Sequence, residues 1–331
     1  MAYVAKRFLY LIPTLLIVSA VVFSLLRLTP GDPARIALGH YATEEQVQAL
    51  RKELDLDKPI PIQYILYLSK LLQGDLGKSM ITRGPVLDEI LLHLPASLEL
   101  TIASIVVGLF IGIPIGVVSA VKRNSKLDHA SRLFALLGTS MPIFWSGLML
   151  QLLFGLRLGL LPVGGRTSIL FPRITGFYLL DSLLMGNVAA LVSSLKHLVL
   201  PSFCMGFFFS AGVSRMTRSE MLIVLTQDYI RTARSKGLPE RTVLLKHALR
   251  NALIPTVTLV GMHFVLLLGT AVVTETVFAW PGLGRRLFES LYRRDYTLVQ
   301  GIVLFFALMY VISSVIVDAL TTLFNPKVQL K

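Results

Sequence analysis

RMTRSEMLIVLTQDYIRTARSKGLPERTVLLKHALRNALIP, Arg215 to Pro255, is the stretch that decides how this chain is laid out. It holds eight Lys/Arg against three Asp/Glu, yet it lies between two strongly apolar segments. Gly237 and Pro239 stand at its centre, with helix-forming sequence on both sides. Basic loops between membrane spans stay in the cytoplasm. A helix–turn–helix knob there needs something to press against. The stretch points to a membrane subunit driven by a soluble partner.

The composition agrees. Of 331 residues, 54% are apolar and 15% charged, where a soluble domain carries roughly 25% charged residues. The apolar residues are gathered into runs near the ~20 residues needed to cross a bilayer. Six spans can be drawn, at about 8–28, 98–120, 133–158, 197–214, 253–277 and 298–321. The first follows Lys6 and Arg7 and exceeds the ~7–15 residues of a cleavable signal core, so it reads as an uncleaved span. The fold class expected is all-α integral membrane, with both termini cytoplasmic. The first span and its long loop form one part, 1–97, and five helices the other, 98–325.

Orientation follows from the loops. With the N-terminus inside, segments 1–8, 121–132, 215–252 and 322–331 hold 16 Lys/Arg and 4 Asp/Glu. The outer segments 29–97, 159–196 and 278–297 hold 14 and 12. The formal charge of +13 therefore reflects topology and anionic lipid, with no nucleic acid implied. Gly176 to Leu195 is almost long enough to span, which would invert the basic loop. Asp181 and Asn187 would then lie in hydrocarbon, where an Asp at a helix centre costs about 2.5–3.5 kcal/mol. An amphipathic segment at the outer surface is the better reading.

Other patterns are local. Gly108, Gly112 and Gly116 form a small-residue ladder on one helix face, suited to tight packing within the fold first and to a subunit interface second. In the outer loop, Thr43 and Gln46 make a capping box before Glu44–Leu54. Pro59 and Pro61 break that helix, and Ile62 to Leu72 resumes helical spacing, so two short helices are expected. Gly74–Ser79 has the look of a phosphate loop, but Leu72 stands where the leading glycine is required. Cys204 is alone, the six histidines form no metal pattern, and no paired catalytic carboxylates appear. No enzymatic chemistry, metal or cofactor is expected within the chain. Glu99, Arg157, Glu275 and Asp318 fall near span ends, where they can reach the interface, so a midplane proton or sodium relay is lacking.

In the knob, Ser219 to Lys236 is helix-compatible. Gly237 suits the residue after a helix, where the chain turns left-handed without a Cβ penalty. Pro239 suits the first position of the next helix, Glu240 complements its dipole, and Lys246 and Arg250 fall near its C-terminal end.

Here the chain resembles the permeases of bacterial ABC importers. Their cytoplasmic loop carries Glu-Ala-Ala, three residues, then Gly; this chain has Arg231-Thr232-Ala233, Arg234-Ser235-Lys236, Gly237, so the last Ala and the Gly match. The departures, with Tyr229–Gly237 and His247–Pro255, are similar to the peptide and nickel branch. So are Thr29–Pro33, Gly74–Gly77, Ser140–Trp145, Thr274–Phe278, Trp280–Gly284, Arg294–Tyr296 and Asn325–Lys327. The strings fit the first of that branch's two permease types, the B type of dipeptide and oligopeptide systems. The resemblance implies a type I importer half-channel, paired with a homologous second permease. Two ATPases carrying ATP and Mg would dock beneath, on Arg231, Thr232, Ala233, Arg234, Lys236, Gly237, Leu238 and Pro239. An extracytoplasmic binding protein would deliver peptides to the outer face. Nickel chelates or glutathione are alternative cargoes; a stand-alone secondary carrier and a membrane scaffold are alternatives of other classes. Gly269, Thr270 and Glu275 on the fifth span are the candidate lining of the path.

Overall fold

The structure, a computed structural model, describes residues 2–39 and 41–324. The Asn325–Lys327 string and the C-terminal residues that follow it lie outside the described residues. Among the described residues all regular structure is helical, apart from an isolated bridge between Lys78 and Pro85. In chain order the helices are α1 (Ala2–Leu28), α2 (Pro33–Leu38), α3 (Glu44–Glu53), α4 (Ile60–Leu72), α5 (Val86–Val121) and α6 (Lys126–Ser140). Then come α7 (Ile143–Arg157), α8 (Tyr178–Leu184), α9 (Val188–Val224), α10 (Asp228–Ser235) and α11 (Glu240–Ala252). α12 (Ile254–Val277), α13 (Leu283–Tyr292) and α14 (Tyr296–Phe324) complete the chain. α7 and α11 each contain a π-helical stretch, Gln151–Arg157 and Val243–Leu249.

By length and composition, three described helices can cross a membrane, or up to five if each of two bent pairs is one span. Ile12–Leu28 adds a shorter apolar helix within α1. The sequence drew one unbroken span at 133–158. Instead α6 and α7 meet at 102°. Pro142 forces the residue before it out of the helical region, and Met141 is extended at φ −77°, ψ 130°. The second and fourth spans run longer than drawn, because α5 begins at Val86 and Asn187 caps α9 by accepting from the Ala190 N–H.

The chain divides into two compact units, and each stands on its own contacts. The first comprises 1–95 and 281–311. The Thr43–Gln46 capping box is present as expected. The 29–97 segment holds, before α5, three short helices rather than two, since Asp32 caps α2 and also takes Arg51 at 2.9 Å. α13 was not expected. It joins a core of Val86, Ile90, Leu283, Leu298 and Ile302, and its Arg286 pairs with Glu89 at 3.0 Å. Asp295, 1% exposed, accepts from the Ser79 hydroxyl and from the Met80 N–H at 3.1 Å. The loop that resembled a phosphate site is thus folded around a carboxylate of its own chain.

The second unit comprises 96–280 and 312–331. Its axis is the packing of α5 on α9. A Cβ on Gly112 would lie 2.7 Å from the Ser210 carbonyl, and one on Gly116 2.7 Å from the Ser214 carbonyl. The ladder is therefore where two backbones touch within the fold, the first of its two readings. Leu100, Met205, Phe209, Leu267 and Trp280 fill the core beside it. The segment 176–195 does not form one helix. α8 is seven residues, a rise of about 10 Å, and 188–195 are the opening turns of α9. Asp181 is buried and accepts from the backbone N–H groups of Ile174, Thr175 and Gly176.

Glu99 and Glu275 correct a further expectation. Neither reaches out from a span end: they are 7% and 0% exposed. Arg166 donates to Glu99 through Nε at 3.0 Å and Nη2 at 2.5 Å. Its guanidinium lies 3.9 Å from the Tyr178 ring centroid. The Ser97 hydroxyl donates to Glu275 at 2.6 Å. Burial of a carboxylate is tolerated where such partners replace water.

Candidate functional site

The knob between α9 and α12 is built from two helices and one turn. The expected run from Ser219 to Lys236 is broken after Val224, where the Thr226 hydroxyl bonds back to the Ile223 carbonyl at 2.8 Å. That bond competes with helix continuation. Gln227 is extended, and α10 restarts at Asp228. At the other end Gly237 has φ +73°. Its N–H donates to the Arg234 carbonyl at 2.9 Å and the Leu238 N–H to the Ala233 carbonyl at 3.4 Å. This is the Schellman pair of bonds, with glycine in the left-handed position. Pro239 caps α11 from one position earlier than expected. It is extended at ψ 139°, and its carbonyl accepts from Thr242 at 2.8 Å. A proline ahead of the first helical residue lacks only a donor the helix does not use.

Two side-chain links fix the angle between α10 and α11. Arg234 grips Glu240 with two donors, at 2.7 and 3.2 Å. That hydrogen bond lowers the Glu240 pKa and raises that of Arg234. Asn251 donates to the Tyr229 hydroxyl at 2.9 Å. Beneath them lies one apolar cluster: Ala120 of α5, Met221 and Val224 of α9, Ile230 and Ala233 of α10, and Val243, Ala248 and Ala252 of α11. The knob is therefore packed directly on the ends of α5 and α9. α11 passes into α12 at 47°.

Of the eight residues singled out in the turn, Ala233 is buried in this cluster. Arg231, Thr232, Arg234, Lys236, Gly237, Leu238 and Pro239 are exposed and contiguous. Arg231 faces Asp228 at 3.7 Å with both side chains in solvent, and the Thr232 hydroxyl bonds the Asp228 carbonyl. The arrangement offers an exposed turn that carries three cations, Arg231, Arg234 and Lys236, above a cluster packed on α5 and α9. The three residues proposed for a path do not share one environment. Gly269 is exposed. Thr270 is half-buried and bonds back to the Leu266 carbonyl at 3.0 Å. Glu275 is sealed inside.

Sequence reasoning missed a joint at the same end of this unit. Asp128, fully buried, accepts from Arg218 of α9 at 2.7 and 3.0 Å, from Ser119 of α5 at 2.6 Å and from the Asn124 N–H at 3.0 Å. Its signal was present: it is the lone acid among four Lys/Arg in 121–132. Among the described residues there is no group of three His, Cys, Asp or Glu able to hold a metal ion.

Comparison with known proteins bears on this geometry. Residues 112–330 match the profile described as binding-protein-dependent transport system inner membrane component, and residues 1–101 match its N-terminal counterpart. The chain is 43% identical over 331 residues to the dipeptide transport system permease protein DppB of Alkalihalophilus pseudofirmus, covering 99% of each. It is 42% identical over 335 residues to DppB of Escherichia coli K12, again covering 99% of each. The glutathione transport system permease protein GsiC of Pectobacterium atrosepticum is 42% identical over 329 residues, with the same coverage. Among solved structures, the inward-facing MetNI methionine ABC transporter is similar at a TM-score of 0.54 and 17% identity. That match covers 70% of this chain and 93% of the other, a likeness of fold.

Proposed function

The chain belongs to the family of binding-protein-dependent transport system inner membrane components, and we propose that its cargo is peptides and that ATPase motion enters it through the knob around Gly237. It is an ABC importer permease subunit and a multi-pass protein of the bacterial inner membrane. Its five-helix region, 98–325, carries the path, and 1–97 supplies the first helix and the outer segment. Six spans with both termini inside place the knob in the cytoplasm. The 16-to-4 excess of Lys/Arg over Asp/Glu in the inner segments supports this orientation.

In this reading the chain is non-catalytic. Two separate ATPase subunits bind ATP and Mg, a homologous permease completes the channel, and an extracytoplasmic protein presents the peptide. One ATPase contacts Arg231 to Pro239. Its movement is passed by the Ile230–Ala233–Val243 cluster to α5 and α9, and by α11 to α12, so the cavity alternates between the two sides. The path runs past Gly269 and Thr270, with Glu275 held behind it by Ser97. The observation that carries the proposal is the left-handed Gly237 turn, exposed on top and packed underneath. Dipeptides are favoured by the relatives named for them, and glutathione stays the second reading because a permease named for it matches as well.

Gly237→Val tests it. A β-branched residue is strained at φ +73°. The variant is expected in the membrane at normal abundance with uptake of labelled dipeptide abolished. Uptake at the wild-type rate overturns the coupling role.

A further inference from the structure

The outer end of α1 carries a basic side chain for which the proposed transport reading has no use. Arg27 donates through Nε to Gln63 at 2.8 Å, and its guanidinium lies 4.5 Å from the Phe23 ring centroid and 5.9 Å from that of Tyr296. Its Nη1 is buried with no hydrogen-bond partner. No carboxylate is within ion-pair reach of it among the described residues. Two further polar atoms nearby share this condition, Nε2 of Gln300 and the hydroxyl of Tyr296, on residues each 4% exposed. Arg27 and Gln300 line a cavity of about 270 Å³, and Arg27 and Tyr296 line a neighbouring one. All of these residues belong to the first compact unit.

Buried donors are paired in nearly all proteins, and an unpaired buried charge is the most costly exception. Two buried, unpaired N–H donors on residues that line one cavity, with an unpaired hydroxyl on the wall of its neighbour, call for an occupant rich in acceptor oxygens. Glu53, Asp55 and Asp75 on the same wall are taken: by Arg83 at 3.9 Å, by Lys58 and Lys70, and by the Gly77 N–H. On the six-span reading proposed above, the surroundings fit a bilayer boundary. Val21, Leu25 and Leu28 on α1 and Ile62 and Ile65 on α4 are exposed, and Phe23 packs with Tyr64 and Tyr67 at 5.2 and 5.7 Å. Tyrosines and basic residues at this level meet headgroups.

We propose that the pocket beside Arg27 binds the phosphate of a phospholipid headgroup, with Arg27 and Gln300 donating to its oxygens. Guanidinium–phosphate contacts are the strong, oriented kind. The bound lipid would tie the first helix to α4 and to the start of α14.

Native mass spectrometry of the full chain in mild detergent tests this, using dioleoyl phosphatidylethanolamine, dioleoyl phosphatidylglycerol, dioleoylglycerol and inorganic phosphate as probes. One phospholipid is expected to be retained, with dioleoylglycerol lost. Arg27→Gln is expected to weaken retention about tenfold, in line with loss of a charge-assisted bond. Gln300→Leu should weaken it by a smaller factor, and the exposed Arg157→Gln should leave it unchanged. Equal retention by wild type and Gln300→Leu overturns the site even if Arg27→Gln does not fold. Equal retention of dioleoylglycerol overturns it too. Displacement of the lipid by millimolar inorganic phosphate supports the oxyanion pocket but overturns a lipid as its occupant.

Discussion

Asp128 and Arg218 meet through two hydrogen bonds, 2.7 and 3.0 Å long, at the foot of the knob, with the carboxylate fully buried and the guanidinium three-quarters so. The pair joins the first turn of α6 to α9 three residues before Met221 enters the knob's apolar cluster. Removing one partner of such a pair strands the other, at about 3–5 kcal/mol. Asp128→Asn is therefore expected to lower the melting temperature of the detergent-solubilised chain sharply. Asp128→Asn with Arg218→Met should recover part of it. Equal melting of the wild type and the single variant would remove the joint from this account.

The glycine ladder makes a sharper packing test. Gly112→Ala forces a Cβ to within 2.7 Å of the Ser210 carbonyl and Val213, and overpacking of this kind costs about 1–3 kcal/mol. Gly212→Ala, in α9 with no atom within 4 Å of a new Cβ, gains helix propensity instead. Melting should fall for the first and hold or rise for the second.

Asp181 links pH to stability. Burial alone would raise its pKa, but the Thr175 hydroxyl and the N–H groups of Thr175, Gly176 and Ile174 hold it below the ordinary 3.8. A depressed carboxylate contributes stability that is present above its unfolded pKa and is lost as pH falls through the folded one. Melting should be level from pH 7 to about 5 and decline below about 4. Asp181→Asn should be less stable at pH 7, by about 1–3 kcal/mol, and so melt lower, with a shallower acid decline.

Much of this was legible in the residues. Gly237 announces its turn because only glycine takes φ +73° freely, and Thr43 with Gln46 announces a cap, since both are local chemistry. The spacing of Gly108, Gly112 and Gly116 revealed a contact face, although not that α9 covers it. What the sequence hid were pairings across long separations. Glu99 and Arg166 are 67 positions apart, and Ser79 and Asp295 are 216 apart. A charge near a span end reads as interfacial until its buried partner is known. The bend at Pro142 was hidden for another reason: proline is tolerated inside membrane helices, so its presence alone does not separate a kink from a break.

The exposed knob side chains should separate docking from folding. Arg231→Glu removes a cation whose contact with Asp228 is in solvent and worth little. Melting is expected to be unchanged while copurification of the ATPase subunits falls severalfold. A loss of melting with the ATPases retained would make Arg231 structural.

Coupling to an ATPase requires the turn at Gly237 to face the cytoplasm. Ser235→Cys, beside that turn and exposed, can be treated in intact cells with a membrane-impermeant thiol reagent; the native Cys204 is buried and gives little background. No labelling is expected until the cells are permeabilised, then ready labelling. Ready labelling in intact cells would put the knob outside, beyond the reach of any ATPase.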